Sequence, residues 1–237
     1  MTMLDTDEVP DSLRSRLALA LDVDDLVAAT RLARDLRPWF GTVKVGLELF
    51  SAAGPDAITT LREQGFRVFY DAKLHDIPTT VGKASRVLGA LGASYVTLHA
   101  AGGASMLRAG VEGMREGAAS AGLDEPTALG VTLLTNEPEA SEHVLRQRAA
   151  VALEAGCGGL VCAVPDMGLL KEIAPAATIV TPGIRPEGAP SDDQGRVATP
   201  AEALDAGANL LVIGRAITRS SDPVGAAREL LSPLFPG

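Results

Sequence analysis

Eight short apolar runs recur along the chain, and they constrain its fold more than any other feature. They lie at Leu17–Leu21, Thr42–Val45, Arg67–Tyr70, Tyr95–Leu98, Ala128–Leu133, Gly159–Ala163, Thr178–Val180 and Leu210–Ile213. Their nearly continuous apolar character is that of parallel strands buried on both faces. Helical signals fill the intervals. Asp24 and Asp25 open a helix with Leu26, Leu32, Ala33 and Leu36 on one stripe. Pro55 marks another start, and Gly65 sits where a C-terminal glycine belongs. Pro78 begins a helix that Gly92 ends, with Val81, Ala84, Leu88 and Leu91 expected to face inward. Further helices are expected over Glu137–Gly156 and Asp166–Ala174. Thr199, Pro200 and Glu202 spell a capping box, and Asp222-Pro223 repeats the start signal.

Eight strand–helix units of about 30 residues each use nearly all of the 237 residues. No linker or shift of composition divides them. The expectation is therefore a single (β/α)8 (TIM) barrel domain over residues 1–237, with 1–14 a mobile lead-in. A doubly wound open sheet is the alternative. It needs fewer strands and usually a glycine fingerprint after the first, where this chain has Asp22-Val23-Asp24-Asp25.

Composition narrows the function classes. The chain carries 21 Lys and Arg against 30 Asp and Glu, a net charge of −9. That disfavours nucleic acid and anionic membrane surfaces as partners, which call for a basic face. Aromatics at 3% are too few for base-stacking platforms. No apolar run approaches membrane-spanning length, and the acidic, polar stretch Met1–Pro10 does not read as a secretory signal. Cys157 and Cys162, if on one strand, have Cα atoms roughly 16 Å apart. A disulfide needs less than about 7 Å. Free, buried thiols in a reducing cytoplasm are the expectation.

In such barrels the chemistry sits at the C-terminal ends of the strands. Strand one ends at Asp22, strand two carries Lys44, and strand three runs into Asp71-Ala72-Lys73-Leu74-His75-Asp76-Ile77-Pro78. Side chains alternate along a strand, so Asp71 and Lys73 share a face. Lys44, near the end of the neighbouring strand, would meet them in the barrel mouth, with Asp76 just beyond. A single Asp–Lys pair reads as structural; four ionisable groups of alternating sign at this end read as a site for charge that develops in a substrate. After strand seven comes Thr181-Pro182-Gly183-Ile184-Arg185, then a polar stretch through Gln194. Gly214-Arg215 follows strand eight. This is where barrels hold phosphate, and the arginine fork suits it. His99 reads equally as a structural residue or a wall of the mouth, and His143 as solvated. Thr135 either meets a ligand or caps a helix. No metal-binding spacing is present.

The stretch Asp71-Ala72-Lys73-Leu74-His75-Asp76-Ile77-Pro78-Thr79-Thr80 resembles the signature of the orotidine 5′-phosphate decarboxylase family, which fixes at least six positions there. The resemblance extends to Leu19-Ala20-Leu21-Asp22, Lys44-Val45-Gly46, Leu134-Thr135, Thr181–Arg185 and Ile213-Gly214-Arg215, and fits the bacterial branch of modest length. It implies a cytoplasmic, cofactor-free and metal-free lyase of pyrimidine synthesis that converts orotidine 5′-phosphate to UMP and CO2. By that resemblance Lys73 would protonate C6, Asp71 would lie near the departing carboxylate, and Lys44 and Asp76 would complete the charge network. Asp76 would come from the other subunit of a homodimer, with Ile77 and Thr80. Asp22 and Lys44 would hold ribose hydroxyls, and Thr135 would sit by the pyrimidine. Pro182, Arg185, Gln194, Gly214 and Arg215 would form the phosphate end. Two rivals remain open. One is a metal-dependent sugar-phosphate decarboxylase or aldolase relative, which resembles its kin in a strand-two glutamate where this chain has Lys44. The other is a silent pyrimidine-nucleotide-binding barrel.

Overall fold

The structure, a computed structural model, describes residues 9–134, 141–188 and 196–234. Eight parallel strands close on themselves in sequence order, β1 through β8, with β1 also paired to β8. They are β1 Leu17–Ala20, β2 Thr42–Gly46, β3 Arg67–Leu74, β4 Tyr95–His99, β5 Thr127–Val131, β6 Gly159–Val161, β7 Thr178–Thr181 and β8 Leu210–Ile213. This is the TIM barrel that the eight apolar runs lead one to expect, with strand bounds close to theirs. Every residue of β1, β2 and β8 is buried. That is the physical reason the runs lack alternation: each side chain faces either the barrel interior or the helix layer.

Eleven α-helices surround it: α1 Asp11–Arg14, α2 Leu26–Asp35, α3 Leu47–Ala53, α4 Asp56–Glu63, α5 Pro78–Leu91, α6 Gly103–Ser120, α7 Glu142–Glu154, α8 Val164–Ile173, α9 Pro200–Asp205, α10 Arg215–Thr218 and α11 Pro223–Leu231, counted among the described residues. Caps explain several of these bounds. The carboxylate of Asp25 accepts from Ala28 N–H at 2.6 Å, and Asp222 from Gly225 N–H at 2.9 Å. Thr199 and Glu202 form the reciprocal capping box. Gly92, in the left-handed region at φ 86°, ends α5.

Several elements differ from the sequence reading. The expected lead-in is helical from Asp11 to Arg14, and Val9 is buried. Helix α7 begins at Glu142, capped by Ser141, while residues 137–140 lie outside the described residues. Along α5, Val81 and Leu88 are buried as expected, but Ala84 and Leu91 are half-buried and Ser85 and Gly89 take the inner positions. The cause is α6, which packs close against α5 through glycines. A methyl group at Gly89 would strike the Met114 carbonyl, one at Gly113 the Gly82 carbonyl, and one at Gly117 the Arg86 carbonyl.

Two apolar layers result. The larger lies between sheet and helices and includes Leu17, Leu19, Val43, Val45, Leu107 and Leu160. The smaller fills the barrel itself: Ala18, Ala20, Phe69, Leu129, Val131, Val161, Val180, Leu210 and Val212. It forms a dry floor beneath the C-terminal strand ends.

Candidate functional site

Above that floor opens a cavity of about 400 Å³. Ala20, Phe69, Val131, Val161, Val180 and Val212 form its apolar base, and Leu133 and Leu134 one wall. Its polar lining comes from Asp22, Lys44, Asp71 and Lys73 on one side. Pro182, Gly183, Arg185, Gly214 and Arg215 stand on the other.

The first four groups form a row of alternating charge. Lys44 Nζ lies 2.9 Å from Asp22 Oδ1 and 3.8 Å from Asp71 Oδ2, and Lys73 Nζ lies 2.9 Å from Asp71 Oδ1. Each charge has an opposite neighbour, which offsets the desolvation that would otherwise make such a cluster untenable. Asp71 sits deepest, with a side chain 16% exposed. Burial presses its carboxyl upward, but the charges of Lys44 and Lys73 and hydrogen bonds from Lys73 and Thr97 outweigh it. Its pKa therefore lies below the ordinary carboxylate value. Lys73 is more open, at 38%. A half-exposed ammonium fixed beside a carboxylate can stabilise negative charge appearing next to it and can give up a proton.

The backbone that presents Lys73 is irregular. Pairing of β3 with β4 runs Phe69 to Tyr95 and Tyr70 to Val96, then resumes at Leu74 opposite Leu98, so the register slips between them. Lys73 has φ 51°, the only non-glycine residue with positive φ among the described residues. Such a conformation is costly for a side-chain-bearing residue and concentrates at functional sites. Strict alternation along β3 is therefore not what brings Lys73 to Asp71; the bulge does. Thr97 on β4, absent from the sequence reading, bridges the irregularity. Its Oγ1 accepts from Lys73 N–H at 2.9 Å and donates to Asp71 Oδ1 at 3.1 Å. The available signal was a hydroxyl inside an apolar run, on the face shared with Tyr95 and His99.

Small residues keep the row in place. A Cβ at Gly46 would stand 3.0 Å from Lys44 Nζ and 3.3 Å from Asp22 Oδ1. At the opposite wall Arg185 is 6% exposed and its guanidinium donates to the Ile184 carbonyl at 3.1 Å. The segment carrying it is pinned by Arg185 N–H to the Ala198 carbonyl at 2.9 Å and Ala198 N–H to the Gly183 carbonyl at 3.2 Å. Arg196 reaches from there to Asp166 at 2.5 Å and to the Leu134 carbonyl at 3.1 Å, tying the ends of β5, β6 and β7 together.

Other sequence-predicted residues fall elsewhere. Asp76, Ile77 and Thr80 are exposed and do not line this chain's cavity. Ile77 is 65% exposed, and Asp76 accepts from its N–H at 2.6 Å. Thr135 and Gln194 lie outside the described residues. His99 accepts from Ala101 N–H at 3.3 Å and stacks on His75, which gives it structural work. His143 is exposed on α7. Cys157 and Cys162 are free and buried, and burial pushes both thiols up to about 12. No group of three or more His, Cys, Asp or Glu among the described residues is arranged to hold a metal ion. No helix of the described residues is long and apolar enough to cross a membrane.

Comparison with known proteins places this geometry in context. The model of the orotidine 5′-phosphate decarboxylase / HUMPS family matches residues 15–230. The orotidine 5′-phosphate decarboxylase of Moorella thermoacetica is 44% identical over 234 residues, covering 93% of this chain and 92% of its own. That of Thermobifida fusca is 43% identical, covering 92% and 95%. Among solved structures, orotidine 5′-phosphate decarboxylase from Lactobacillus acidophilus superposes with a TM-score of 0.77 at 33% identity, covering 92% of this chain and 98% of that one.

Proposed function

This chain belongs to the orotidine 5′-phosphate decarboxylase / HUMPS family, and from that premise we propose that it converts orotidine 5′-phosphate to UMP and CO2 in the cytoplasm, as a step of pyrimidine synthesis. The observation that carries the reading is the alternating row Asp22–Lys44–Asp71–Lys73 at one wall of the cavity, facing Arg185 and Arg215 at the other. A substrate with a carboxylated ring at one end and a phosphate at the other suits that division.

Breaking the C6–carboxylate bond leaves an electron pair in a ring orbital that the pyrimidine π-system delocalises poorly. Stabilisation must come from a fixed cation beside C6. Lys73 supplies it, then passes a proton to C6 as CO2 leaves. Asp71, held ionised by its two lysines, stands near the substrate carboxylate and disfavours the bound ground state. Lys44 keeps Asp71 charged and, with Asp22, holds the ribose hydroxyls. The valine and leucine walls exclude water around the ring. Arg215, Gly214, Pro182 and Arg185 take the phosphate; the family resemblance adds Gln194 as a further phosphate ligand and Thr135 as a pyrimidine contact. Binding energy gained at the phosphate is then spent on ordering the reacting end. The short chain and its Gly-Ile-Arg segment favour the bacterial branch. Exposed Asp76, Ile77 and Thr80 suit a homodimer in which each subunit completes its partner's site.

Lys44 stands where the metal-dependent relatives resemble one another in carrying a glutamate, and an ammonium there repels a divalent cation. The purified protein is accordingly expected to consume orotidine 5′-phosphate, with UMP as product, at the same rate with and without EDTA. Abolition by EDTA would move the chain to the metal-dependent side of the family. UMP binding without turnover would make it a silent barrel.

A further inference from the structure

We propose that Thr97 is a positioning residue for this reaction, one hydroxyl that fixes both the bulged backbone of Lys73 and the carboxylate of Asp71. The proposal rests on the functional reading above.

Thr97 is fully buried in β4 between Val96 and Leu98. At that point the β3–β4 ladder is interrupted, because four steps of β3 from Tyr70 to Leu74 face two steps of β4 from Val96 to Leu98. The Lys73 N–H donates instead to Thr97 Oγ1 at 2.9 Å. The same hydroxyl donates to Asp71 Oδ1 at 3.1 Å, so its accepting and donating capacities are both engaged by the reacting pair. Asp71 Oδ1 also takes Lys73 Nζ at 2.9 Å. The result is a closed triangle of Lys73 backbone, Thr97 hydroxyl and Asp71 carboxylate, closed again through the Lys73 side chain.

Packing alone does not require a hydroxyl here, since valine has the same shape and the flanking Val96 and Leu98 are apolar. The polar atom has work only toward Asp71 and Lys73. Without it the Lys73 N–H is left unpaired in the bulge. The Asp71 carboxylate becomes free to rotate between Lys73 and Lys44. The charged groups facing Asp71 are Lys44 on β2, Lys73 on β3 and, through Lys44, Asp22 after β1. Losing one hydrogen-bond donor to the ionised carboxylate raises its pKa.

The test is steady-state turnover of orotidine 5′-phosphate across pH by wild type, Thr97→Val and Thr97→Ser, with Tm measured on each. Thr97→Val is expected to lose about 10- to 100-fold in kcat, because a small misplacement of a reacting group is felt at the transition state. Its KM is expected to stay within about threefold, since no substrate contact is removed. The acid limb of its kcat/KM profile moves to higher pH. Thr97→Ser restores kcat and the acid limb, because it keeps the oxygen and loses only the methyl group. Full kcat in Thr97→Val, or equal loss of kcat in the serine variant, overturns the proposal. Should Thr97→Val fail to fold, Thr97→Ser decides alone, by keeping or losing the wild-type kcat and acid limb. An active wild type with an equally active Thr97→Val strikes down only the role of Thr97; an inactive wild type removes the functional reading and this proposal together.

Discussion

Lys73 shows how the protein uses one residue at several levels. Its side chain is paired with Asp71 at 2.9 Å, yet its backbone sits at φ 51°, a conformation costing about 1–3 kcal/mol that the surrounding structure must absorb. The sequence reading placed Asp71 and Lys73 together through the period of two, and the two side chains do meet. The route differs. A bulge is decided by how β3 pairs with its neighbour, so the local sequence of β3 alone does not reveal it. Thr97 escaped for a related reason. It belongs to a run that reads as an ordinary apolar strand, and its role exists only once the bulge places a free N–H opposite it. Lys44 and Asp22 were legible because one lies within β2 and the other just past β1, strands that the barrel geometry pairs side by side.

At the scale of elements, strands were easier to read than helices. Fully buried strands announce themselves as apolar runs, whereas α6 carries glycine at 103, 110, 113 and 117, a residue that disfavours a helix interior. Gly113 and Gly117 are there for distance, not flexibility: they let α6 approach the backbone of α5. The same substitution should therefore act in opposite directions on two helices. Gly113→Ala places a methyl group against the Gly82 carbonyl, backbone that can yield only if the helices part. A loss of about 1–3 kcal/mol is expected from overpacking. Gly168→Ala in α8 meets nothing within 4 Å on an exposed face. There a gain of about 0.5–1 kcal/mol is expected, because a mid-helix glycine gives way to alanine. Thermal unfolding of both variants checks this: Tm should fall for the first and rise for the second. A rise for Gly113→Ala would mean that the α5–α6 contact is looser than described.

At the scale of the molecule, the eight strand–helix units run from Leu17 to Leu231 and leave Asp76, Ile77 and Thr80 exposed beside the mouth. If a partner subunit brings Asp76 to this cavity, two inactive variants should rescue each other. Mixing Lys73→Ala with Asp76→Ala is expected to restore part of the activity, because a hybrid dimer holds one site with both residues intact. No recovery after demonstrated subunit exchange would place the whole site within one chain. The net charge of −9 takes on a different meaning at this scale. Lys44, Lys73, Arg185 and Arg215 all line one cavity in an acidic protein. On the proposed function, that charge disfavours polyanions while the cavity offers a single small phosphate ester a cationic pocket. The measurement that bears most directly on the account is the loss of the orotidine chromophore in the ultraviolet with wild type and with Lys73→Ala. The wild type should consume orotidine 5′-phosphate, and the variant should lose at least about 1000-fold in kcat, because the cation beside C6 and its proton are removed together. A Lys73→Ala variant as active as the wild type would contradict the account.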